Sequence, residues 1–150
     1  MSSEIQTTLE LISVEVAGQE FCIDVRDVRE IRGWAPATPV PQSPDYISGV
    51  INLRGAVMPV LDLKRRLGLG LTEPDGRHVI VVVESAGQMA GIVVEGVRET
   101  FQIGAELLQA PPHFESSQPR FVDAIIPLEQ RMISRLVVSA LLGEATLLAA

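Results

Sequence analysis

The sequence predicts an all-β fold with a few short helices, arranged as two similar small barrels packed around a shared core. Three observations carry that expectation. The first is an internal repeat. Val14-Glu15-Val16-Ala17-Gly18-Gln19 returns 69 positions later as Val83-Glu84-Ser85-Ala86-Gly87-Gln88, and the same offset maps Ile23, Val25, Val28, Arg29 and Glu30 onto Ile92, Val94, Val97, Arg98 and Glu99. Further along the offset is 75, and Tyr46, Gly49, Val50, Ile51 and Leu53 fall on Phe121, Ala124, Ile125, Ile126 and Leu128. Leu61, Leu63, Leu67 and Gly68 likewise fall on Leu136, Val138, Leu142 and Gly143. A repeat bounds the architecture before any element is assigned. The second observation is size. Each copy, about 9–70 and 79–145, holds only ~70 residues, too few for a comfortable core of its own, so the two copies share one. The third is the run Val79-Ile80-Val81-Val82-Val83. Five successive β-branched residues are apolar on both faces of a strand, which requires an apolar layer on each side.

The elements follow in order. Residues 1–8 are polar and read as a flexible N-terminus of a single 150-residue domain. Leu9 to Val16 reads as a strand whose alternation changes phase after Leu11, as at a bulge or a change of sheet face. Ala17-Gly18-Gln19-Glu20 turns it into a return strand, Phe21 to Val25. Arg26 to Ile31 has its apolar residues three apart, as in a helical turn with Asp27 and Glu30 facing away from Val28 and Ile31. Four prolines between Gly33 and Asp45 make an ordered, extended loop. Gly49 to Leu53 and Ala56 to Leu61 form a second hairpin. Asp62 caps a short helix from Leu63 to Leu67, which Gly68 ends. Residues 70–77 form a linker. In the second copy Val79 to Val83 and Gly91 to Val97 are strands, with a bulge at Gly96. Leu107 and Leu108 sit in a turn, and a polar loop runs to Pro119. Ala124 to Pro127 and Met132 to Val138 form the last hairpin, and Ser139 to Ala150 a terminal helix.

Composition narrows the function. Aromatic content of 4% against 47% hydrophobic residues makes the core aliphatic. The net charge of −7 argues against non-specific nucleic-acid binding. The one cysteine, Cys22, forms no internal disulfide and fits a reducing compartment. The N-terminus lacks a signal-peptide pattern, and no apolar stretch reaches the ~18 residues that span a bilayer. The expectation is a cytoplasmic protein with no direct membrane insertion.

The inventory for catalysis is thin. His78 and His113 stand alone in polar settings, and Cys22 sits mid-strand as a small buried hydrophobe. No phosphate-binding loop or nucleophile elbow is present. The expectation is no enzyme, with no catalytic residues, no metal site and no cofactors. Lys64-Arg65-Arg66 reads either as a docking patch or, preferably, as cations at the negative end of their own helix.

One segment has a sharper signal. Gly49-Val50-Ile51-Asn52-Leu53-Arg54-Gly55-Ala56-Val57-Met58-Pro59-Val60-Leu61-Asp62-Leu63 is a strand, turn and strand ending in a capped helix. Arg54 projects from the turn, where its donor fork suits a carboxylate or carbonyl on a partner. This segment resembles the signature of CheW, the chemotaxis coupling protein family. Phe21 to Gly33, Val40-Pro41-Gln42-Ser43-Pro44, Gly91 to Val97, Arg131-Met132 and Leu141-Leu142 are similar to further blocks of that family, over about residues 9 to 143.

The resemblance implies two five-stranded SH3-like barrels around a common core and a non-catalytic role. It implies a signalling adaptor that couples the cytoplasmic tip of methyl-accepting chemoreceptors to the regulatory domain of a CheA-type histidine kinase. Carried over residue by residue, the receptor-binding groove falls on Val28, Glu30, Ile31, Asn52, Arg54, Gly55 and Val79, with core packing as a competing role for Val79. Glu95, Val97 and Arg98 are candidates for the kinase-binding surface. Ser134, Arg135 and Val137, and Glu129-Gln130 ahead of Arg131, depart from the family pattern. Those departures suit a CheW-like scaffold of a non-motility pathway such as surface sensing, pilus or cyclic-nucleotide control. A small-ligand-binding β-barrel is a further alternative and predicts a pocket with convergent polar groups. A regulatory domain cut from a longer kinase is disfavoured by the Met1 start and the terminal helix. The repeat permits either a simple tandem of barrels or an intertwined pair.

Overall fold

A computed structural model describes residues 7–112 and 120–143. His113, most of the polar loop to Pro119, and the terminal helix beyond Gly143 lie outside the described residues. Two five-stranded sheets make up the molecule. In chain order the strands are β1 Thr8–Val16, β2 Gln19–Asp24, β3 Val28–Gly33, β4 Ile47–Leu53, β5 Ala56–Asp62, β6 Val79–Ser85, β7 Gln88–Val94, β8 Gly96–Gly104, β9 Val122–Leu128 and β10 Arg131–Leu136. One sheet runs β8-β1-β2-β10-β9, here barrel A. The other runs β3-β6-β7-β5-β4, here barrel B. Helix α1, Leu63–Arg66, follows β5, and α2, Val138–Leu142, follows β10.

This topology decides between tandem and intertwined. Replacing each strand of barrel A by its repeat counterpart reproduces the order of barrel B. Each barrel therefore takes its first two strands from one copy and its last three from the other. Barrel B is one continuous stretch from β3 to β7, and barrel A closes around it from both ends of the chain. In each barrel the copies join twice, through an antiparallel pair, β3–β6 in barrel B and β1–β8 in barrel A, and through a parallel pair, Val60 with Gly91 in barrel B and Arg135 with Cys22 in barrel A.

The central strands bury both faces. On β1, Ile12, Val14 and Val16 enter the core between the barrels, while Leu9 and Leu11 fill barrel A with Cys22, Ile126 and Ile133. The phase change in the sequence is therefore two buried faces, and β1 pairs with β2 in unbroken register. The bulge is on β8, where Arg98 is skipped between the Ser13–Glu99 and Val14–Val97 pairs. On β6, Ile80 and Val82 fill barrel B while Val81 and Val83 face the shared core, as the β-branched run requires. Burial of each such aliphatic side chain contributes about 1.5–3 kcal/mol.

Two further expectations change. Residues Arg26 to Ile31 are not a helical turn. A short 3-10 turn, Val25–Asp27, capped by the Asp24 carboxylate, leads into β3. The period there is two, so Val28, Glu30 and Arg32 share the half-buried face and Arg29 and Ile31 face out. Gly91 to Val97 is not one strand either, since β7 ends at Val94 and Gly96 opens β8. Strand β8 continues to Gly104, although its charged start hid it.

The proline-rich segment is fastened to barrel B by two backbone hydrogen bonds of 2.9 Å between Thr38 and Val50. Gln109 and Ile125 make the equivalent bridge in barrel A. Thr38 passes so close that a Cβ on Gly49, φ +150°, lies 2.3 Å from the Thr38 oxygen. Gly49→Ala is expected to destabilise the protein by roughly 2–3 kcal/mol in urea titrations. Gly96→Ala, with open space around it, is expected to stay within about 0.5 kcal/mol. Cutting the chain within 70–77 gives two fragments, neither of which completes a barrel. Circular dichroism is expected to show no cooperative unfolding for either alone and a restored transition on mixing. Cooperative folding of one fragment alone refutes the shared-core account.

Candidate functional site

The β4–β5 hairpin closes with a two-residue loop, Arg54-Gly55, with both φ angles positive at 51° and 91°. Such loops match the right-handed twist of the flanking strands. Glycine adopts this conformation freely, whereas an arginine there carries strain of about 1–2 kcal/mol. Asn52 closes the loop by accepting the Gly55 N–H at 2.8 Å. Asn52 and Gly55 thus shape the turn that presents Arg54.

Arg54 Nη2 donates to Glu30 Oε1 at 2.6 Å. Glu30 comes from β3, so the pair joins the hairpin tip to the edge strand of barrel B. The Arg54 side chain is 70% exposed and that of Glu30 29%. Its hydrogen bond to Arg54 holds the Glu30 carboxyl below the usual carboxylate range, and Arg32 acts in the same direction. Ile31, beside Glu30, and Val57, three residues past Arg54, are both large exposed hydrophobics. The result is an exposed ion pair at the hairpin tip, with Val57 exposed on β5 and Ile31 on the outward face of β3. It can exchange carboxylate and cation partners with another molecule and bury apolar surface beside them.

The structure brings Glu30, Asn52, Arg54 and Gly55 together. Ile31 lies on the opposite, outward face of β3, and Val28 and Val79 are spread apart. Val28 pairs with Val83 and Val79 with Gly33, at opposite ends of the β3–β6 ladder. Both are half-buried against the shared core, so packing accounts for much of each.

A second polar cluster stands on barrel A. Arg131 bridges Glu20 and Glu99, the latter at 2.6 Å, and Arg98 pairs with Glu15 at 3.3 Å. Hydrogen bonding to Arg131 lowers the Glu20 carboxyl pKa against the opposing effect of burial. Glu99 is the repeat counterpart of Glu30, so each barrel pairs this glutamate with an arginine beside its last hairpin. Met132, the counterpart of Val57, is as exposed as Val57. This cluster escaped the sequence reading, although the alternation of Phe101 and Ile103 was a usable sign of β8. Of the three residues proposed there, Glu95 accepts the Ala17 N–H at 2.9 Å and Val97 packs on the shared core, leaving Arg98 in the cluster.

Catalytic chemistry finds little support in the geometry. Burial pushes the Cys22 thiol up to about 12, so it holds no thiolate at neutral pH. Among the described residues no three His, Cys, Asp or Glu are grouped to hold a metal ion. An open depression of about 300 Å³ lies over the Glu20–Arg131 pair, but its charges are satisfied by one another rather than converging on a ligand. No helix among the described residues is long and apolar enough to cross a membrane.

Comparison with known proteins agrees with this picture. The family model described as CheW-like domain matches residues 10–146. A probable chemotaxis protein CheW of Rhizobium etli is 43% identical over 136 residues, covering 90% of this chain and 88% of that protein. The chemotaxis protein CheW of Rhizobium meliloti is 44% identical over 125 residues, covering 83% and 81%. The crystal structure of the scaffolding protein TtCheW from Thermoanaerobacter tengcongensis matches with a TM-score of 0.79 and 31% identity, covering 87% of this chain and 90% of that one.

The two ion-pair clusters make separable predictions. In carboxyl NMR titrations Glu30 and Glu20 are both expected to titrate below ordinary glutamate. Arg54→Ala should raise Glu30 alone, and Arg131→Ala should raise Glu20 alone. A depressed folded value means that each pair stabilises above the ordinary carboxylate pKa and loses that contribution as pH falls through the folded value. A cross effect between the clusters overturns their independence.

Proposed function

The chain belongs to the CheW-like domain family, and from that premise we propose that it is a non-catalytic adaptor coupling methyl-accepting chemoreceptors to the regulatory domain of a CheA-type histidine kinase. One observation supports the receptor half of this reading above the others. The residues that the family resemblance assigns to the receptor groove include Glu30, Asn52, Arg54 and Gly55, and hydrogen bonds join these four at the exposed tip of the β4–β5 hairpin. A receptor tip of helical form can lay apolar side chains against Val57 while its acidic or basic groups meet Arg54 and Glu30.

The kinase half rests on the opposite barrel. Two barrels with related backbones present two different polar surfaces, which suits a protein that holds two partners at once. Ser134, Arg135 and Val137 lie in barrel A or just after it, yet they leave the fold intact. Arg135 is held by Asp123 through two hydrogen bonds of 2.9 Å. The setting proposed is cytoplasmic, beside receptors that carry the membrane anchor themselves. Single-site affinity is modest in this reading, and avidity in an assembled array makes up the difference.

The decisive experiment is co-elution of the protein with each candidate kinase regulatory domain and with a receptor cytoplasmic fragment. Arg54→Glu is expected to weaken receptor binding by at least about tenfold. Its melting temperature should stay within about two degrees of the parent, because an exposed turn residue contributes little to stability. Kinase-domain binding should be unchanged. Full receptor binding by the folded variant removes Arg54 from the interface and the groove assignment with it.

A further inference from the structure

The core between the barrels is built from aliphatic contacts, and such contacts do not fix a direction. The Arg66 side chain adds directional bonds between the two helices. Arg66, the last residue of α1, donates from Nε to the Leu141 carbonyl at 3.0 Å and from Nη2 to the Ala140 carbonyl at 3.0 Å. Those carbonyls belong to the last turn of α2, where a helix lacks internal donors. The cations after Leu63 thus serve mainly other partners than the end of their own helix. Arg66 satisfies the end of α2, and Arg65 reaches Asp45 at 3.1 Å.

The surroundings of this guanidinium are shared between the two copies. It lies 3.8 Å from the Tyr46 ring centroid and 4.8 Å from that of Phe121. Tyr46 and Phe121 are repeat counterparts at the offset of 75, and so are Arg66 and Leu141. Arg66 therefore sits where the two copies meet, between one aromatic ring from each, bonded to its own counterpart. Tyr46 and α1 belong with barrel B and Phe121 with barrel A, while α2 leads from the end of β10 in barrel A to pack against β6 of barrel B. The chain leaves α2 at Gly143, where a Cβ comes within 2.7 Å of Arg66 Nη2. Space at this point is set by the guanidinium.

We propose that Arg66 is a pin that fixes the angle between the barrels, and that through it the docking face on barrel B is coupled to the one on barrel A. The second clause rests on the adaptor reading. Two forked hydrogen bonds and ring contacts on a planar cation restrict rotation in a way that the aliphatic core does not. Among the described residues, the matching position in the other copy is the apolar Leu141, so the repeat supplies one such pin.

The pin is tested by the distance between the barrels. Spin labels at Val57→Cys and Met132→Cys, in a Cys22→Ala background, report it from two exposed positions, one on each barrel. Arg66 should give one narrow distance distribution. Arg66→Met, which removes the charge and both hydrogen bonds, should roughly double its width or split it. Arg66→Lys keeps the charge and the stem but loses the fork, and should broaden it less. It also serves if Arg66→Met fails to fold. Unchanged widths in the folded variants overturn the pin.

Coupling is read separately, as the change in receptor-fragment affinity when the kinase domain is bound. A change of at least about fivefold in the parent should fall toward none in Arg66→Lys, with binding of each partner alone within about twofold. A persisting change overturns the coupling clause. A parent that binds neither partner overturns the adaptor reading and coupling together, and the distance experiment still judges the pin.

Discussion

Two-sided burial of the central strands is the constraint on which the rest of this molecule depends. A strand in a free-standing small barrel buries one face and wets the other. Here β1, β2, β6 and β7 bury both, one against their own barrel and one against the neighbour. Each copy is too short to supply both layers for itself. Exchange of strands between copies resolves the shortage, since every barrel then contains material from both and neither can detach. The antiparallel ladders β1–β8 and β3–β6 and the parallel joints at Val60–Gly91 and Arg135–Cys22 seal that exchange.

The repeat constrains backbone far more than chemistry. The interior of barrel B carries Val60, Val82 and Gly91 where barrel A carries Arg135, Ser13 and Cys22. A cation near an interior is costly unless paired, and Arg135 meets that condition through Asp123. The helix starts differ in the same way. Asp62 caps α1 and also accepts the Thr72 amide at 3.0 Å, tying down the linker. Val137 opens α2 with no side-chain cap. The two barrels can therefore diverge in what they present while the shared core holds them together.

Much of this was legible in the sequence, for physical reasons. The repeat, the β-branched run at Val79 and the Asp62 cap are local signals, and each marks an element that exists. The failures share a cause. β3 and the start of β8 are edge strands, so their residues answer to solvent and to ion pairs rather than to a buried face. Alternation is then carried by charged residues such as Glu30 and Glu99, and a three-residue spacing in Val28 and Ile31 imitates a helix. The family resemblance named Glu30, Asn52, Arg54 and Gly55, which hydrogen bonds join at one hairpin tip, alongside Val28 and Val79, which pack on the shared core. The internal wiring of the site was not legible. That Arg54 bonds Glu30, that Arg131 gathers Glu20 and Glu99, and that Arg66 ends α2 are facts of tertiary distance, the bonded partners standing 24, 111, 32 and 75 positions apart in the chain.

The pairing of Arg54 with Glu30 changes what kind of partner this surface can hold. An isolated arginine attracts any carboxylate. A paired one offers a net gain only to a partner that compensates the glutamate it displaces. A partner bringing an acid alone leaves Glu30 facing an incoming charge of the same sign, and one bringing a base alone competes with Arg54 for Glu30. A partner that brings both exchanges one ion pair for two and loses nothing. The exposed position of the pair keeps each exchange small in energy, because water screens it. In the proposed docking role, selectivity therefore comes from the arrangement of charges rather than from their strength, and affinity is left to apolar contacts such as those the exposed Val57 offers. An adaptor that must release as well as hold its partners gains from that division, because a modest apolar contact sets the lifetime and a charge pattern sets the identity.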